Sequence, residues 1–309
     1  MSLVKLFCIL LFASVAESQC TSKKLQQNGN SSAVEPPNDL KVVSNSDYQF
    51  LVTGGYRPES NNLVKHVVSL RKGKEGNFGD NHVCGGSIIT KRAILTAAHC
   101  VYELNQKIKA WRLSVVAGTP KRLVKINTTQ IVRVKRIRVH PRFKKRTLRN
   151  DLAILIMEKE LSMGDSTDTI SIANKNPVAG LNCTVIGWGT LLELGPLPDE
   201  VVNGDMQIQP KSFCEKIEGF RAHGMMCASS SANYEVDSCQ GDSGGPLICD
   251  EKVYGIVSFG FGCGEPNNAG IYTDVYHYHD WIEKNSCPED VMSLPLVLLL
   301  LIIYLHLGL

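Results

Sequence analysis

The body of the chain alternates short apolar runs with turn residues. The runs are rich in Val, Ile and Leu, and Gly, Asn and Pro separate them; they lie at positions 66–70, 93–96, 131–139, 152–157, 183–186, 253–259 and 270–275. Many short strands at such spacing are typical of an all-β sandwich or barrel. One helix is predicted over 274–284, because Val275, Tyr278 and Ile282 recur at helical spacing.

The N-terminus carries a different pattern. Lys5 precedes an apolar run at 6–15, and small residues follow the run. This arrangement predicts a signal peptide over 1–18, and the run is too short to cross a membrane as a helix. The protein is therefore expected to be secreted through an oxidising compartment, in which cysteines form disulfides.

Two further segments flank the β-rich body. Residues 19–51 are polar, which predicts a flexible pro-segment. Positions 291–309 contain no Asp, Glu, Lys or Arg, and nothing basic follows them. The tail at 287–309 is interpreted as a GPI-anchor signal, with a transmembrane anchor or a plain apolar extension as alternatives. The folded domain is then expected at 52–286, secreted or held at the outer face of the plasma membrane.

Charge is distributed unevenly along the chain. The formal net charge is only +3, so the global charge excludes no class of partner. Positions 104–150, however, contain fifteen Lys and Arg and no Asp or Glu. This stretch predicts a surface that binds an acidic protein or a sulfated glycan, and a basic surface without a partner is the alternative. Nucleic acid is not an expected partner of a secreted chain.

Three segments of the body carry candidate chemistry. They read Leu-Thr-Ala-Ala-His-Cys at 95–100, Arg-Asn-Asp-Leu-Ala-Ile-Leu at 149–155 and Asp-Ser-Cys-Gln-Gly-Asp-Ser-Gly-Gly-Pro-Leu at 237–247. Each segment has an ordinary structural explanation when it stands alone. Together they supply a serine in a glycine-rich loop, a histidine that can act as its base and a carboxylate that can orient the base. The set therefore indicates nucleophilic catalysis.

The motifs TAAHC, NDLAIL and CQGDSGGPL, in this order, resemble the chymotrypsin/trypsin family of serine proteases, and the likeness runs from about residue 52 to 282. The resemblance implies two packed antiparallel six-stranded β-barrels with a C-terminal helix. It also implies a catalytic triad in which Ser243 attacks the scissile carbonyl, His99 is the general base and Asp151 holds His99. The backbone N–H groups of Gly241 and Ser243 would form the oxyanion hole.

The substrate pocket follows from the same resemblance. Asp237 would lie at its base, and Gly260 and Gly270 would leave room for a long side chain between its walls. Ser258 resembles the serine that hydrogen-bonds the catalytic aspartate. The expected activity is endopeptidase cleavage after Arg or Lys through an acyl-enzyme, with no metal or organic cofactor.

The eleven cysteines and three sequons, at Asn30, Asn127 and Asn182, add constraints. Cysteine spacing alone fixes no pairing, but the family resemblance implies four pairs: Cys84–Cys100, Cys183–Cys249, Cys214–Cys227 and Cys239–Cys263. Cys20 and Cys287 match no family pair and could bond to each other. Asn30 and Asn127 begin Asn-X-Ser/Thr sequons and are predicted glycosylation sites.

Activation is the step at which the sequence departs from the family pattern. In the family, a new N-terminal amine pairs with the aspartate before the catalytic serine, and the corresponding residues here are Val52 and Asp242. Gln49, Phe50 and Leu51 precede Val52, so the usual Arg or Lys is missing. Either a protease with another preference activates the zymogen, or the chain is a catalytically silent binding or regulatory protein on a protease fold.

Overall fold

The computed structural model describes residues 55–58, 60–73, 77–190, 195–230, 237–262 and 268–287. The expected signal peptide at 1–18, the pro-segment at 19–51 and the tail at 287–309, apart from Cys287, lie outside the described residues. Cys287 is grouped with Met1–Asp47 and the residues after it, and the fold described below lies within Tyr48–Ser286. None of the helices in the described ranges is long and apolar enough to cross a membrane.

Six antiparallel strands in the first half of the domain close into a barrel. Their inward side chains are apolar, and Val68, Ile94 and Leu155 are fully buried. Closure leaves no unpaired strand edge. The order around the barrel is β1 (Val67–Lys72), β2 (His82–Thr90), β3 (Ala93–Thr96), β8 (Ala153–Met157), β7 (Gln130–Val139) and β6 (Leu113–Ala117). A separate hairpin pairs β4 (Tyr102–Glu103) with β5 (Gln106–Lys107).

Six antiparallel strands in the second half form a second barrel, which the pairing of its first and last strands closes. Their order is β13 (Pro246–Cys249), β10 (Asn182–Gly187), β11 (Val202–Ile208), β12 (Met225–Ser229), β15 (Gly270–Asp274) and β14 (Lys252–Phe259). The short strand β9 (Ser171–Ile172) adds to β14 in parallel. The predicted all-β class with two six-stranded barrels is therefore confirmed.

The C-terminal helix is confirmed in type, but its predicted start at 274 is wrong. Helix α2 runs over His279–Ser286, and a shorter helix, α1, covers Lys211–Cys214. Asp274 still belongs to β15, and the N–H of Val275 donates to the carbonyl of Tyr254 at 3.0 Å. Of the three residues with helical spacing, Val275 and Tyr278 therefore lie in the turn before the helix, and only Ile282 lies in the helix itself.

Three of the four disulfides that the resemblance implied are present. They are Cys84–Cys100, Cys183–Cys249 and Cys214–Cys227. Cys239 is also disulfide-bonded, but Cys263 lies outside the described residues, so this fourth pair stays a prediction. Cys287 is disulfide-bonded as well, and Cys20 is likewise outside the described ranges.

Candidate active site

The centre of the candidate site is the carboxylate of Asp151, which is fully buried just before β8. Its Oδ2 accepts hydrogen bonds from His99 Nδ1 at 2.7 Å and from the Ser258 hydroxyl at 2.6 Å. Its Oδ1 accepts a third bond from the backbone N–H of His99 at 2.9 Å. Three donors compensate the buried negative charge, and they hold the imidazole in one orientation.

This environment makes His99 a better base. Burial disfavours the charged imidazolium, but the negative charge of Asp151 and the hydrogen bond to it favour the charged form more. The pKa of His99 is therefore raised above its usual value. Because Nδ1 carries the proton that Asp151 binds, Nε2 is the nitrogen that can accept a proton from a nucleophile.

Ser243 approaches His99 from the second barrel. Cys100 Sγ lies 3.8 Å from His99 Nε2 and 3.5 Å from the carbonyl oxygen of Ser243. His99 and Ser243 both line a cleft of about 240 Å³ beside the Cys84–Cys100 disulfide. In the part of the chain that the structure describes, the Ser243 hydroxyl makes no hydrogen bond to His99. Such contacts are often long in free enzymes and tighten with substrate.

Glycines allow the two barrels to meet at this point. The N–H of Gly85 in β2 donates to the carbonyl of Ser243 at 2.8 Å, and Thr96 donates to the carbonyl of Gly85 at 2.8 Å. Gly244 has φ +78°, and a Cβ on it would lie 2.2 Å from Thr96 Oγ1. A side chain at 244 would therefore push the serine loop away from the first barrel.

In the loop around Ser243, residues 239–245, two amides have no partner among the described residues. Within the described residues, the N–H groups of Gly241 and Ser243 donate to no other group, whereas the N–H of Asp242 between them donates to the carbonyl of Cys239 at 3.0 Å. Gly241 adopts φ +105°, a conformation that favours glycine. Two free donors beside a nucleophile are the arrangement that stabilises an oxyanion.

Asp242 points away from these amides into the protein. Its Oδ1 accepts from the N–H of Gly189 at 2.7 Å and its Oδ2 from the N–H of Cys239 at 3.1 Å. A Cβ on Gly187 or on Gly189 would lie 2.1 Å from a carboxylate oxygen of Asp242. Burial raises the pKa of Asp242 to about 6, although both N–H bonds lower it. The ionised carboxylate is thus under-compensated, and a cation beside it would be stabilising. Val52 lies outside the described residues.

Two of the predicted pocket residues, Asp237 and Gly270, lie close together. Asp237 is buried, and its Oδ1 accepts from the N–H of Ser238 at 2.8 Å. A Cβ on Gly270 would lie 2.9 Å from this oxygen, whereas one on Gly260 would meet only a carbonyl oxygen at 3.7 Å. Burial and the charge of Asp237 raise the pKa of the nearby Tyr272 hydroxyl. Residues 231–236 and 263–267, which flank these segments, are not among those described.

Two other features of the described residues do not add a further site. A larger cleft of about 500 Å³ lies at the Cys183–Cys249 disulfide, and no serine or histidine is among its lining residues. Cys84, His99 and Cys100 cluster closely enough to suggest metal ligands. Both sulfurs of this cluster, however, are joined in a disulfide and cannot bind a metal as thiolates.

Sequence reasoning missed three polar residues around the site. Thr273 Oγ1 donates to the backbone carbonyl of Asp151 at 2.8 Å. His82 Nε2 donates to the carbonyl of Gly241 at 3.1 Å, and Ser69 Oγ lies 2.8 Å from His82 Nδ1. The only signal in the sequence is a polar residue within an apolar strand, such as the serine in Val-Val-Ser-Leu at 67–70.

Comparisons with known proteins agree with this geometry. A family model described as Trypsin matches residues 52–282. Trypsin epsilon of Drosophila erecta is 36% identical over 239 residues, which cover 76% of this chain and 87% of that protein. Human trypsin-3 is 34% identical over 235 residues, which cover 75% of this chain and 71% of that protein. Trypsin eta of Drosophila melanogaster is 34% identical over 256 residues, 82% and 91% of the two chains. The chain belongs to the trypsin family of serine proteases.

Proposed function

We propose that the protein is a secreted or surface-anchored endopeptidase that is made as a zymogen and cleaves after Arg or Lys. The observation that carries the activity is the fully buried Asp151, whose carboxylate accepts from His99 and Ser258 in the cleft that Ser243 lines. In this proposal Ser243 attacks the scissile carbonyl, and His99 Nε2 takes the hydroxyl proton and returns it to the leaving amine. The free amides of Gly241 and Ser243 bind the oxyanion.

The buried Asp237 supports the specificity for basic side chains. A buried carboxylate favours a cation at the end of an incoming side chain, because opposite charges attract more strongly where water is excluded. Gly270 leaves room for this carboxylate, because a Cβ there would lie 2.9 Å from Asp237 Oδ1, and Gly260 is proposed as the opposite wall. The pocket therefore selects Arg or Lys by charge at its base and by length along its walls.

The environment of Asp242 supports the proposal of a zymogen. Among the described residues, only backbone N–H groups bond to the carboxylate of Asp242. An amine released at Val52 would supply a positive charge there, and pairing would fix the neighbouring Gly241 and Ser243. The match to the trypsin family begins at residue 52, which supports cleavage after Leu51. Because Gln49, Phe50 and Leu51 precede this bond, the activator is expected to differ in specificity from the enzyme itself.

The proposal is tested with two recombinant forms that lack 291–309. One keeps the native pro-segment, and the other carries a cleavable linker that releases Val52 as a free N-terminus. We expect the second form alone to hydrolyse Arg peptides and to be labelled by a fluorophosphonate. Ser243→Ala in the second form is the control and should abolish both signals.

The missing basic residue before Val52 favours one alternative, a catalytically silent binding protein on a protease fold. In that case neither form would react with the fluorophosphonate, although both would fold. Labelling without Arg-peptide hydrolysis would instead point to an enzyme of another specificity.

The basic stretch at 104–150 supports a further partner. The structure buries Arg122, so this residue does not belong to the surface. Twelve others are exposed: Lys107, Lys109, Arg112, Lys121, Lys125, Arg133, Lys135, Arg136, Arg142, Lys144, Lys145 and Arg146. The turn Ala110–Arg112 packs against β7, so the exposed Trp111 lies beside this strand. We propose that this basic face binds a polyanion such as a sulfated glycan.

Retention on immobilised heparin checks the basic face. Replacing Lys144, Lys145 and Arg146 with Ala is expected to elute the protein at lower salt, because counterion release scales with the number of bound charges. Alanine at Lys211, Lys216 and Arg221 removes the same charge from the second barrel and is expected to change elution less. Equal shifts in the two triple variants would contradict a local site.

The remaining proposals concern processing. Secretion through the signal peptide at 1–18 and anchoring through the tail at 287–309 are proposed on the sequence alone. Asn127 is exposed and accessible to glycosylation, whereas Asn30 lies outside the described residues.

A further inference from the structure

Two buried arginines are connected through neighbouring residues to Gly241, although the proposed chemistry does not use them. Arg71 in β1 is fully buried, and its guanidinium lies 4.0 Å from the centre of the Phe78 ring. Arg122 is 7% exposed, within a stretch that otherwise carries its cations on the surface. Burying a guanidinium is costly unless its N–H groups are bonded in a fixed geometry. Their hydrogen bonds therefore define what the pair holds in place.

Arg122 joins segments that are distant in sequence. Its guanidinium donates to the carbonyls of Gly79 at 2.8 Å, Pro198 at 3.0 Å and Leu197 at 3.2 Å. Its own carbonyl accepts from Arg71 at 2.8 Å. The planar fork of arginine suits such simultaneous contacts, which the point charge of lysine cannot reproduce.

Leu197 connects Arg122 to Gly241. A Cβ on Gly241 would lie 2.7 Å from Leu197 Cδ2, so the leucine side chain sits directly against the Gly241 backbone. Since Arg122 binds the carbonyl of the same leucine, it fixes the segment that covers one side of Gly241.

A second route reaches Gly241 from Arg71. Arg71 Nε donates to Ser69 Oγ at 3.2 Å, and Ser69 Oγ is 2.8 Å from His82 Nδ1. His82 Nε2 is 3.1 Å from the carbonyl oxygen of Gly241. A carbonyl can only accept, so Nε2 carries the proton. In the neutral ring Nδ1 must then accept, and the Ser69 hydroxyl donates to it.

The charges of the two arginines support this placement of the protons. The pKa of His82 is lowered to about 4, first by burial and also by the positive charges of Arg122 and Arg71, while the bond to Gly241 raises it. His82 is therefore neutral at physiological pH. The neutral ring keeps Nδ1 as an acceptor for Ser69 and Nε2 as a donor to Gly241.

We propose that Arg71 and Arg122 are positioning residues for the oxyanion hole, which hold Gly241 through the Ser69–His82 relay on one side and through Leu197 on the other. The inference rests on the proposed protease function. Neither arginine touches the reacting atoms. Each acts on the backbone whose N–H stabilises the transition state, so their loss should affect kcat more than KM.

The test uses the form with Val52 as a free N-terminus and an Arg peptide substrate. Arg71→Met is expected to lower kcat about tenfold and to leave KM within about twofold, since losing a whole oxyanion donor costs about 10²–10³ in kcat. Arg71→Lys keeps the charge without the fork and is not expected to restore kcat. Arg92→Met, which removes a guanidinium that donates to the carbonyl of Glu158, is the matched control and should retain wild-type kcat.

An NMR titration of the His82 ring supplies a readout that does not need activity. Its pKa is expected to rise in Arg71→Met, because one of the two nearby positive charges is removed. Folded Arg71→Met with wild-type kcat and an unmoved His82 pKa would overturn the proposal.

If Arg71→Met fails to fold, Ser69→Ala breaks the same relay and must lower kcat with KM unchanged. If the wild type is inactive, the proposed function fails, while the titration still decides the relay.

Discussion

Asp151→Asn is expected to lower kcat about 10⁴-fold, the loss that the same change causes in a chymotrypsin-type triad. The structure gives the reason in this chain. Asp151 Oδ2 accepts from both His99 Nδ1 and Ser258, and an amide NH₂ placed there would donate instead. The imidazole would then hold its proton on Nε2, the nitrogen that must accept from Ser243. Steady-state hydrolysis of an Arg peptide by the form with a free Val52 measures the loss.

The pH profile of the same variant separates an electronic effect from misfolding. His99 must be neutral to act as a base, and its raised pKa places the acid limb of wild-type kcat/KM above the pH expected for a free imidazole. Asp151→Asn removes the charge and leaves burial, which lowers the pKa, so the acid limb of the residual activity should move to lower pH. Asp250→Asn, at an exposed carboxylate that pairs with Lys175, should leave rate and profile unchanged. An acid limb that stays in place would contradict the assigned cause.

The elements that could be predicted from sequence are those whose signal is local. The apolar runs at 93–96 and 131–139 became strands β3 and β7 with almost the same bounds, because β-branched residues and flanking turns mark strand ends. The C-terminal helix was placed five residues too early. Val275 and Tyr278 have helical spacing, but they are buried by a turn after β15, and periodicity cannot separate the two cases.

The parts of the site that escaped sequence reasoning depend on contacts between distant segments. Nothing near Arg122 in the chain indicates that its guanidinium binds the carbonyls of Gly79 and Leu197. The sequence therefore counts Arg122 among the surface charges of 104–150, although its side chain is buried. Ser69 and His82 were missed for a similar reason, since their role comes from the carbonyl of Gly241, more than a hundred residues away. The sequence alone does not show that such a polar residue is buried, because its burial depends on a partner that lies far away in the chain.

The family motif, by contrast, carried long-range information that spacing alone does not contain. The pairs Cys84–Cys100 and Cys183–Cys249 were implied only by resemblance, because cysteine spacing leaves many pairings open. The same holds for Ser258, which lies 107 positions from Asp151 and yet donates to its carboxylate. Each disulfide lies within one barrel, whereas the hydrogen bond from Ser258 to Asp151 joins the two barrels. No local sequence pattern encodes any of these contacts.

Asp237→Asn is expected to lower kcat/KM for Arg peptides by about three orders of magnitude, because removing one partner of a buried charge pair costs about 2–5 kcal/mol. The substrate cation would enter a pocket whose base no longer carries a charge. Gly270→Ala should weaken Arg hydrolysis by another route, since the new Cβ would lie 2.9 Å from Asp237 Oδ1 and displace the carboxylate. Steady-state kinetics with matched Arg and Phe peptides measure both effects.

The triad supplies the internal control for this experiment. Asp237→Asn leaves Asp151, His99 and Ser243 in place, so a fluorophosphonate without a basic group should label the variant at a rate close to wild type. Loss of Arg hydrolysis with labelling retained would assign the defect to recognition of the side chain. Unchanged Arg hydrolysis in the folded variant would mean that Asp237 does not meet the substrate cation, and the specificity for Arg and Lys would have to come from other residues.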